Sequence, residues 1–256
     1  LDLIRVAVRD VNRPRTVELS DTVLTTDPSE VVNDPNVDVV VEVIGGIEPA
    51  RSLILQAIAN GKSVVTANKA VIARHGPEIA SAARAAGVYV LIEAAVGGGI
   101  PIIEPLKQSL GGNRINRVSG IINGTTNYIL TRMADEGAAY ADVLAEAQRL
   151  GYAEADPAAD VDGLDAADKI AILSALAFGG TVDRDALPTT GISALQGRDV
   201  EYARQLGYGV KLLAVAERLA GQGDPLPLSR RVQPTLVPSD HPLAGVSGVN
   251  NAILVE

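Results

Sequence analysis

An aliphatic run at residues 37–43, with the sequence VDVVVEV, limits the possible folds more than any other segment of this chain. A continuous apolar run that exits into glycines, here Gly45-Gly46, is typical of a strand buried within a parallel sheet. Helical spacing follows over 48–59 and stops at Asn60-Gly61, and a second short strand covers 63–66. Strand, helix and strand in this order predict two parallel strands joined by a right-handed crossover.

The same alternation extends in both directions. Residues 3–8 predict a strand, and a helix over 72–86, closed by Gly87, leads to a further strand over 88–92. We therefore predict an α/β protein whose first domain, residues 1–100, is a partial Rossmann-like domain with a parallel sheet that lacks its first strand. The sequence opens close to one strand and ends within another, at 251–256, so we also expect truncation at both ends.

Beyond Pro101 the pattern is that of an α+β domain, which we predict over 101–256. Strands are predicted over 115–122, where alternation suggests one solvated face, and over 229–237. Helices are predicted over 102–110, 125–134, 140–150, 165–178 and 199–220, with loops at 151–163 and 221–227. The change of pattern places a domain boundary within 95–125.

Composition argues against several classes of function. The chain has no cysteine, which removes thiolate nucleophiles and disulfides, and its two histidines are too few for an ordinary zinc or non-haem iron centre. A net charge of −9 repels phosphate backbones and argues against nucleic-acid binding. No apolar run approaches the roughly 18 residues of a membrane span, and no signal peptide opens the chain. The sequence predicts a soluble, cytoplasmic protein.

The polar turn after the first predicted strand is a candidate cofactor site. In Rossmann domains an acidic residue at this turn favours NAD, whereas an arginine favours NADP. Arg9 and Asp10 stand side by side here, so the preference stays open, with Arg13 and Arg15 favouring NADP. A basic, solvated turn without a ligand is the alternative.

Two further loops follow strands, at the sheet edge where ligands of α/β proteins bind. Lys69 stands between a strand and a helix, although most lysines are only solvated surface groups. In the loop 93–101, three glycines and a proline can turn main-chain carbonyls inward beside Glu93, which would suit a hard cation. A glycine hinge between domains is the alternative, and the one that spacing alone favours.

The segment 151–169 carries the acid–base candidates. Asp165 and Lys169 are four residues apart on one predicted helix and share a face. Because the flanking residues are apolar, a lysine there needs a partner and would suit proton transfer. An ordinary surface ion pair is the alternative, and the acidic loop lacks the spacing of an EF-hand. Lys211 and His75 are interpreted as structural.

Four blocks taken together resemble the homoserine dehydrogenases. They are TANKA at 66–70, EAAVGGGIPII at 93–103, GIINGTTNYIL at 120–130 and the segment 151–169. Their order and spacing match the family over about residues 36–220. The resemblance implies an NAD(P)-dependent oxidoreductase that interconverts L-aspartate 4-semialdehyde and L-homoserine, a step toward threonine, isoleucine and methionine.

The resemblance also implies roles for individual residues. Lys169 corresponds to the proton donor, and Glu154 and Asp165 to the carboxylates that hold the substrate's ammonium group. Lys69 and Gly151 correspond to cofactor contacts, beside Arg9 of the polar turn. A sodium-type monovalent cation is implied at four residues, largely through main-chain carbonyls, and this overturns the hinge interpretation: Glu93, Val96, Gly98 and Ile100.

The family further implies a homodimer, to which the strands at 115–122 and 229–237 could contribute. It places a GxGxxG loop before residue 1 and another part of the cofactor site beyond the strand at Ile253. Two alternatives stay open: a catalytically silent small-molecule-binding or dimerisation remnant, and a related α/β dehydrogenase acting on another amino-acid-like substrate. The combination of Glu154, Asp165 and Lys169 argues against the latter.

Overall fold

A computed structural model describes residues 1–17, 19–20, 23–220 and 227–256 of the 256-residue chain. The chain divides into two compact units, Leu1–Ala95 and Val96–Glu256. Of the loop predicted at 221–227, all but Pro227 lies outside the described residues. No helix in the described part of the chain is long and apolar enough to cross a membrane.

The first unit consists of parallel strands and helices in alternation. Its elements are β1 (Val6–Ala7), β2 (Leu24–Thr25), α1 (Pro28–Asn33), β3 (Val39–Glu42), α2 (Ala50–Ala59), β4 (Ser63–Thr66), α3 (Lys69–Ala86), β5 (Val90–Leu91) and a 3₁₀ turn, Glu93–Ala95. β1 pairs in parallel with β2, and β3, β4 and β5 form a separate parallel sheet in that order. The predicted α/β fold is confirmed, with its strands divided between two sheets.

Local sequence explains where the longest helix of this unit begins and ends. The Asn68 side chain accepts a hydrogen bond from the Val71 N–H and so caps α3, which therefore starts at Lys69, before the predicted start at residue 72. Gly87 closes the helix with φ of 68°, a left-handed conformation that glycine adopts without strain. Lys69 thus belongs to the first turn of a helix that follows a strand.

The prediction that the run at 37–43 is buried on both faces is wrong. Val40 is 7% exposed, whereas Val39 and Val41 are 47% and 65% exposed. Val40 pairs with Val64 on the face that α2 and α3 cover. The opposite face, which also carries Leu91, is not covered by any helix among the described residues.

The second unit is built on an antiparallel sheet with the strand order β8-β7-β6-β9. A π-helical turn, Pro105–Ser109, precedes it. The remaining elements are β6 (Arg117–Ile121), α4 (Gly124–Glu136), α5 (Tyr140–Arg149), α6 (Ala158–Val161), α7 (Leu164–Phe178), α8 (Gly197–Gln205), β7 (Tyr208–Arg218), β8 (Leu228–Pro238) and β9 (Ala252–Val255).

Two predictions for this unit are wrong. The helix predicted over 199–220 ends at Gln205, after which Gly207, with φ of +83°, leads into strand β7. β7 is buried on both faces, so its sequence is almost continuously apolar and periodicity does not separate it from a helix. The strand at 115–122 has no solvated face, because the consecutive residues Val118 and Ser119 point to opposite faces of β6 and are 0% and 1% exposed.

Candidate active site

The acid–base candidates Asp165 and Lys169 meet on the buried side of α7. Lys169 Nζ donates to Asp165 Oδ2 at 2.7 Å and to the carbonyl oxygen of Ile122 at 2.7 Å. The Lys169 side chain is 15% exposed and that of Asp165 is 7% exposed, so the pair is buried rather than a solvated surface pair. An ammonium has three N–H groups, and Lys169 makes no further hydrogen bond within the described chain. The third N–H is available to a ligand.

The sequence around α7 explains why this pair is held in place. Asp165 lies in the first turn, where the helix dipole favours a negative charge, and four residues place Lys169 one turn further on. The helix starts after Gly163, whose φ is +81° and where a Cβ would lie 3.1 Å from Val232 Cγ1. A glycine is therefore required where α7 approaches β8.

A buried ion pair on α7 was not predicted from the sequence. Arg184 donates from Nε to Asp168 Oδ1 and from Nη2 to the carbonyl oxygen of Leu164 at 2.9 Å. Arg184 and Asp168 are 5% and 8% exposed. The arginine therefore holds the first turns of the helix that carries Lys169. The pairing joins residues in different elements, and local patterns do not contain that information.

Asn123, which precedes α4, contacts the same carboxylate as Lys169. Its Nδ2 donates to Asp165 Oδ2 at 2.9 Å and to Asp160 Oδ1 at 2.7 Å. Its Oδ1 accepts from the Thr126 N–H at 2.8 Å and caps α4. Asn123 stands within the family motif GIINGTTNYIL, and an asparagine before Gly-Thr-Thr is also a recognisable N-cap signal.

The loop that carries Glu154 and Gly151 is held by side chains that donate hydrogen bonds to its main-chain carbonyl oxygens. Thr125 Oγ1 donates to the carbonyl oxygen of Tyr152 at 2.6 Å, and Gln148 Nε2 donates to that of Glu154 at 3.1 Å. The Glu154 carboxylate is exposed and has neither a hydrogen bond nor an ion pair within the described part of the chain. Gly151 follows α5 with φ of +79°. Glu154 makes no hydrogen bond or ion pair with Asp165 or Lys169.

The first unit contains a cavity of about 680 Å³ at the carboxyl ends of its strands. The residues that line it include Arg9, Asp10 and Arg13 of the polar turn and Val43 and Ile44 of the loop after β3. The turn that carries the arginines is tied together by one residue. Arg15 donates to the carbonyl oxygens of residues 10, 11 and 13 at 2.6–3.0 Å.

The charged groups of that turn are not equivalent. The Asp10 carboxylate accepts a hydrogen bond from the Asn12 N–H at 2.9 Å and so belongs to the turn itself. Arg9 and Arg13 are exposed, and neither side chain makes a hydrogen bond to another described residue. The arginines are therefore the groups of this turn that can meet an anion in the cavity.

A buried carboxylate holds the loop after β3, whose Val43 and Ile44 line the cavity. Glu42 is 3% exposed and accepts hydrogen bonds from the Ile44 N–H at 2.7 Å and from Thr66 Oγ1 at 2.6 Å. Asn68 Nδ2 donates to the carbonyl oxygen of Gly46 at 2.8 Å. The network joins the loop after β3 to the cap of α3, and so fixes the backbone from which half-buried Lys69 projects.

The residues suggested for a monovalent cation are divided between the two units. Glu93 lies two residues before the end of the first unit. The second unit begins with Val96, and Gly98 and Ile100 follow closely. Gly97 and Gly98 have φ of +81° and +59°, and the Gly97 carbonyl accepts from the Ile100 N–H.

Within the described residues, the carbonyl oxygens at positions 96, 98 and 100 accept no hydrogen bond, although Val96 is fully buried. Gly98 is exposed and Ile100 half-buried, so their carbonyl oxygens are open to water, and such oxygens are ligands that a hard cation takes. No group of three or more His, Cys, Asp or Glu side chains in the described ranges could hold a metal ion.

Comparison with known proteins places both units in one family. A family model described as homoserine dehydrogenase matches residues 101–256, and one described as homoserine dehydrogenase, NAD binding domain, matches residues 1–93. A homoserine dehydrogenase from Synechocystis sp. is 61% identical over 255 residues, which are 100% of this chain and 59% of that protein. One from Corynebacterium glutamicum is 50% identical over 256 residues, which are 100% and 57%.

Solved structures agree with these sequence matches. A homoserine dehydrogenase from Thiobacillus denitrificans superposes with a TM-score of 0.90 at 52% identity, covering 99% of this chain and 57% of the other. A hyperthermophilic archaeal homoserine dehydrogenase in complex with NADPH gives a TM-score of 0.74 at 32% identity, covering 91% and 66%. The chain therefore spans less than two thirds of the length of these relatives.

Proposed function

The chain belongs to the homoserine dehydrogenase family, and on this premise we propose that the protein interconverts L-aspartate 4-semialdehyde and L-homoserine with a nicotinamide cofactor. The reaction would serve the synthesis of threonine, isoleucine and methionine. Residues 1–100 would bind the cofactor, and residues 101–256 would bind the substrate and carry catalysis. The observation that supports this most directly is the buried Asp165–Lys169 pair with one uncommitted ammonium N–H.

Lys169 is the proposed proton donor. The nicotinamide, when bound, supplies the hydride that reduces the aldehyde carbon. Negative charge then develops on the aldehyde oxygen, and an ammonium N–H directed at that oxygen stabilises it and transfers a proton. Asp165 and the Ile122 carbonyl fix the direction of the donor. In the reverse reaction the neutral amine takes the proton from the homoserine hydroxyl.

Glu154 and Asp165 are the proposed partners of the substrate's ammonium group. Glu154 is suited to this role because its carboxylate is exposed and has no partner within the described residues. Asp165 already accepts hydrogen bonds from Lys169 and Asn123 at Oδ2. One carboxylate open to the ligand and one shared with the proton donor would place the amino acid beside Lys169.

We propose Arg9, Lys69 and Gly151 as cofactor contacts and NADP as the favoured cofactor. A ribose phosphate needs cationic donors, and Arg9 and Arg13 face the cavity without hydrogen-bond partners among the described residues. The Asp10 carboxylate, which would suit the ribose hydroxyls of NAD, is engaged within its own turn. These two observations support NADP over NAD.

A sodium-type cation and a homodimer complete the proposal. The cation would be held by Glu93 and by the carbonyl oxygens of Val96, Gly98 and Ile100. The homodimer rests on family membership, and small molecules are the only other partners proposed. The second candidate is a catalytically silent small-molecule-binding or dimerisation remnant.

Turnover separates the two candidates. The oxidation of NADPH and NADH by aspartate semialdehyde would be measured for this 256-residue chain and for a version extended at both ends. We expect the extended version to turn over. If neither version does so although both fold, the dehydrogenase assignment is wrong and the silent candidate stands.

A further inference from the structure

The side-chain amide of Asn123 has a full set of hydrogen bonds. Its Oδ1 accepts from the Thr126 N–H at 2.8 Å and from Thr126 Oγ1 at 2.9 Å. Its Nδ2 donates to Asp160 Oδ1 at 2.7 Å and to Asp165 Oδ2 at 2.9 Å. A primary amide offers two donors and two acceptor sites, so all four are used. Because a main-chain N–H can only donate, the Thr126 contact fixes which end of the amide faces the carboxylates.

Two adjacent residues therefore hold the acid–base pair from one side. The Ile122 carbonyl accepts directly from Lys169 Nζ, while Asn123 binds the same oxygen of Asp165 that Lys169 binds. Asn123 is 5% exposed, so water does not readily replace it. The connection between β6 and α4 thereby fixes both the lysine and its carboxylate partner.

We propose that Asn123 is a positioning residue for proton transfer: by binding Asp165, it sets the direction in which the free N–H of Lys169 points. This inference rests on the proposed dehydrogenase function and adds a residue to its mechanism. Asn123 needs no contact with substrate or cofactor in this role. It acts through Asp165.

The chemistry of the site favours an amide at position 123 over the other good capping residues. Asp160 and Asp165 both point at Asn123 Nδ2, and two neighbouring carboxylates repel each other unless a donor stands between them. A neutral group with two N–H donors satisfies both without adding charge. Aspartate would bring a third carboxylate, and serine would leave at least one of the two without its donor.

The capping and positioning roles of Asn123 use opposite ends of the amide and can be separated. Capping uses Oδ1, which aspartate and serine replace well. Positioning uses the two N–H donors of Nδ2, for which aspartate offers no donor and serine at most one. Asn123→Asp and Asn123→Ser therefore keep the start of α4 and remove both donors or at least one of them. Asn60→Asp is a matched control, because Asn60 Nδ2 also donates twice, to Val32 and Asn33, in the first unit.

The test uses the extended enzyme and measures kcat, the KM for cofactor and the melting temperature. We expect Asn123→Asp to lower kcat by about 100-fold, the scale of a misplaced catalytic group, while the cofactor KM stays within about threefold. Asn123→Ser should give a smaller loss of kcat, and Asn60→Asp none. A kcat for Asn123→Asp within about threefold of wild type overturns the inference, and so does a loss accompanied by a comparable rise in cofactor KM or by global unfolding.

A wild-type enzyme without turnover would instead remove the proposed function. The positioning role is then decided by a crystal structure of Asn123→Asp. Displacement of the Asp165 carboxylate from Lys169 Nζ supports it. An unmoved Asp165–Lys169 pair overturns it.

Discussion

Lys211, in the central strand β7, donates a hydrogen bond from Nζ to the carbonyl oxygen of Val246 at 2.6 Å. Asn127 of α4 belongs to the same network. Its Oδ1 accepts from Lys211 Nζ at 3.3 Å, and its Nδ2 donates to the carbonyl oxygen of Asn250 at 3.1 Å. The segment before β9 is thus tied to both the sheet and α4. It passes so close to Gly124 that a Cβ there would lie 2.8 Å from the Val249 carbonyl. This network therefore supports the first turn of α4, next to Asn123.

The pH dependence of the free energy of unfolding should reflect the burial of Lys211. Burial lowers the pKa of Lys211 below its usual 10.5, with Asp135 opposing the shift. In the window between the lowered folded value and the unfolded value the unfolded chain binds more protons, so this group's contribution to stability rises with pH. The free energy of unfolding of wild type relative to Lys211→Met should therefore increase as pH rises toward 10.5. Urea titrations at several alkaline pH values measure it, and a difference that falls with pH would contradict the assignment.

Replacing Lys169 should affect rate far more than stability. In the extended enzyme, Lys169→Ala removes the proposed proton donor and should lower kcat by about 10²- to 10⁴-fold. Asp165 loses its ion pair with Lys169 and keeps its hydrogen bond from Asn123, so the variant should melt at a lower temperature and still fold. Steady-state kinetics and a thermal melt are the measurements. Near-normal turnover in a folded Lys169→Ala variant would show that another group supplies the proton.

The buried Arg184–Asp168 pair should behave in the opposite way, as a determinant of stability. Arg184→Met removes the cation that is hydrogen-bonded to the buried Asp168 carboxylate and should cost about 3–5 kcal/mol of unfolding free energy. Replacing both residues, as Arg184→Met with Asp168→Leu, should recover most of that loss. Arg204→Met, which breaks an exposed pair with Glu201, is the matched control and should change little. Urea denaturation decides, and equal effects of the two single variants would refute the buried pair.

Cofactor preference should depend on the arginines of the polar turn. Arg9→Ala and Arg13→Ala should each raise the KM for NADPH by about tenfold in the extended enzyme, and change the KM for NADH much less. The physical reason is the loss of a charged donor to the ribose phosphate that NADH lacks. The ratio of the two KM values is the measurement, and Arg74→Ala on α3 serves as a control. Equal effects on both cofactors would mean that the arginines do not recognise that phosphate.

Local patterns in the sequence predicted strands β1, β3, β4 and β5 of the first unit and the longer helices, because capping residues and glycines mark their ends. The short elements β2 and α1 were not predicted. The family resemblance is confirmed by the comparisons. The strand β7 was missed because a strand buried on both faces has no alternation to detect. The fraction of β3 that is exposed was also missed, since the sequence shows which residues are apolar and not which face is covered.

In the candidate site, too, contacts within one helix could be predicted from the sequence and contacts between elements could not. Asp165 and Lys169 are separated by one helical turn, so their contact follows from helix geometry. The contacts of Asn123 with Asp160 and Asp165 join residues 37 and 42 positions apart, and that of Arg184 with Asp168 spans 16. Such contacts depend on how elements pack, which periodicity does not specify. The residues implied for the cofactor, the substrate ammonium and the cation stay predictions.

The uncovered face of the first sheet has a consequence for handling this polypeptide in solution. Val39, Val41 and Leu91 form an apolar patch beside strand edges that have no partner within the described chain. Exposed apolar strands at an open edge promote intermolecular pairing and precipitation. The net charge of −9 opposes this at neutral pH and low salt. Concentrated preparations of the 256-residue chain should therefore stay in solution longest in dilute alkaline buffer. They should aggregate first when salt screens the negative charge or acid neutralises it.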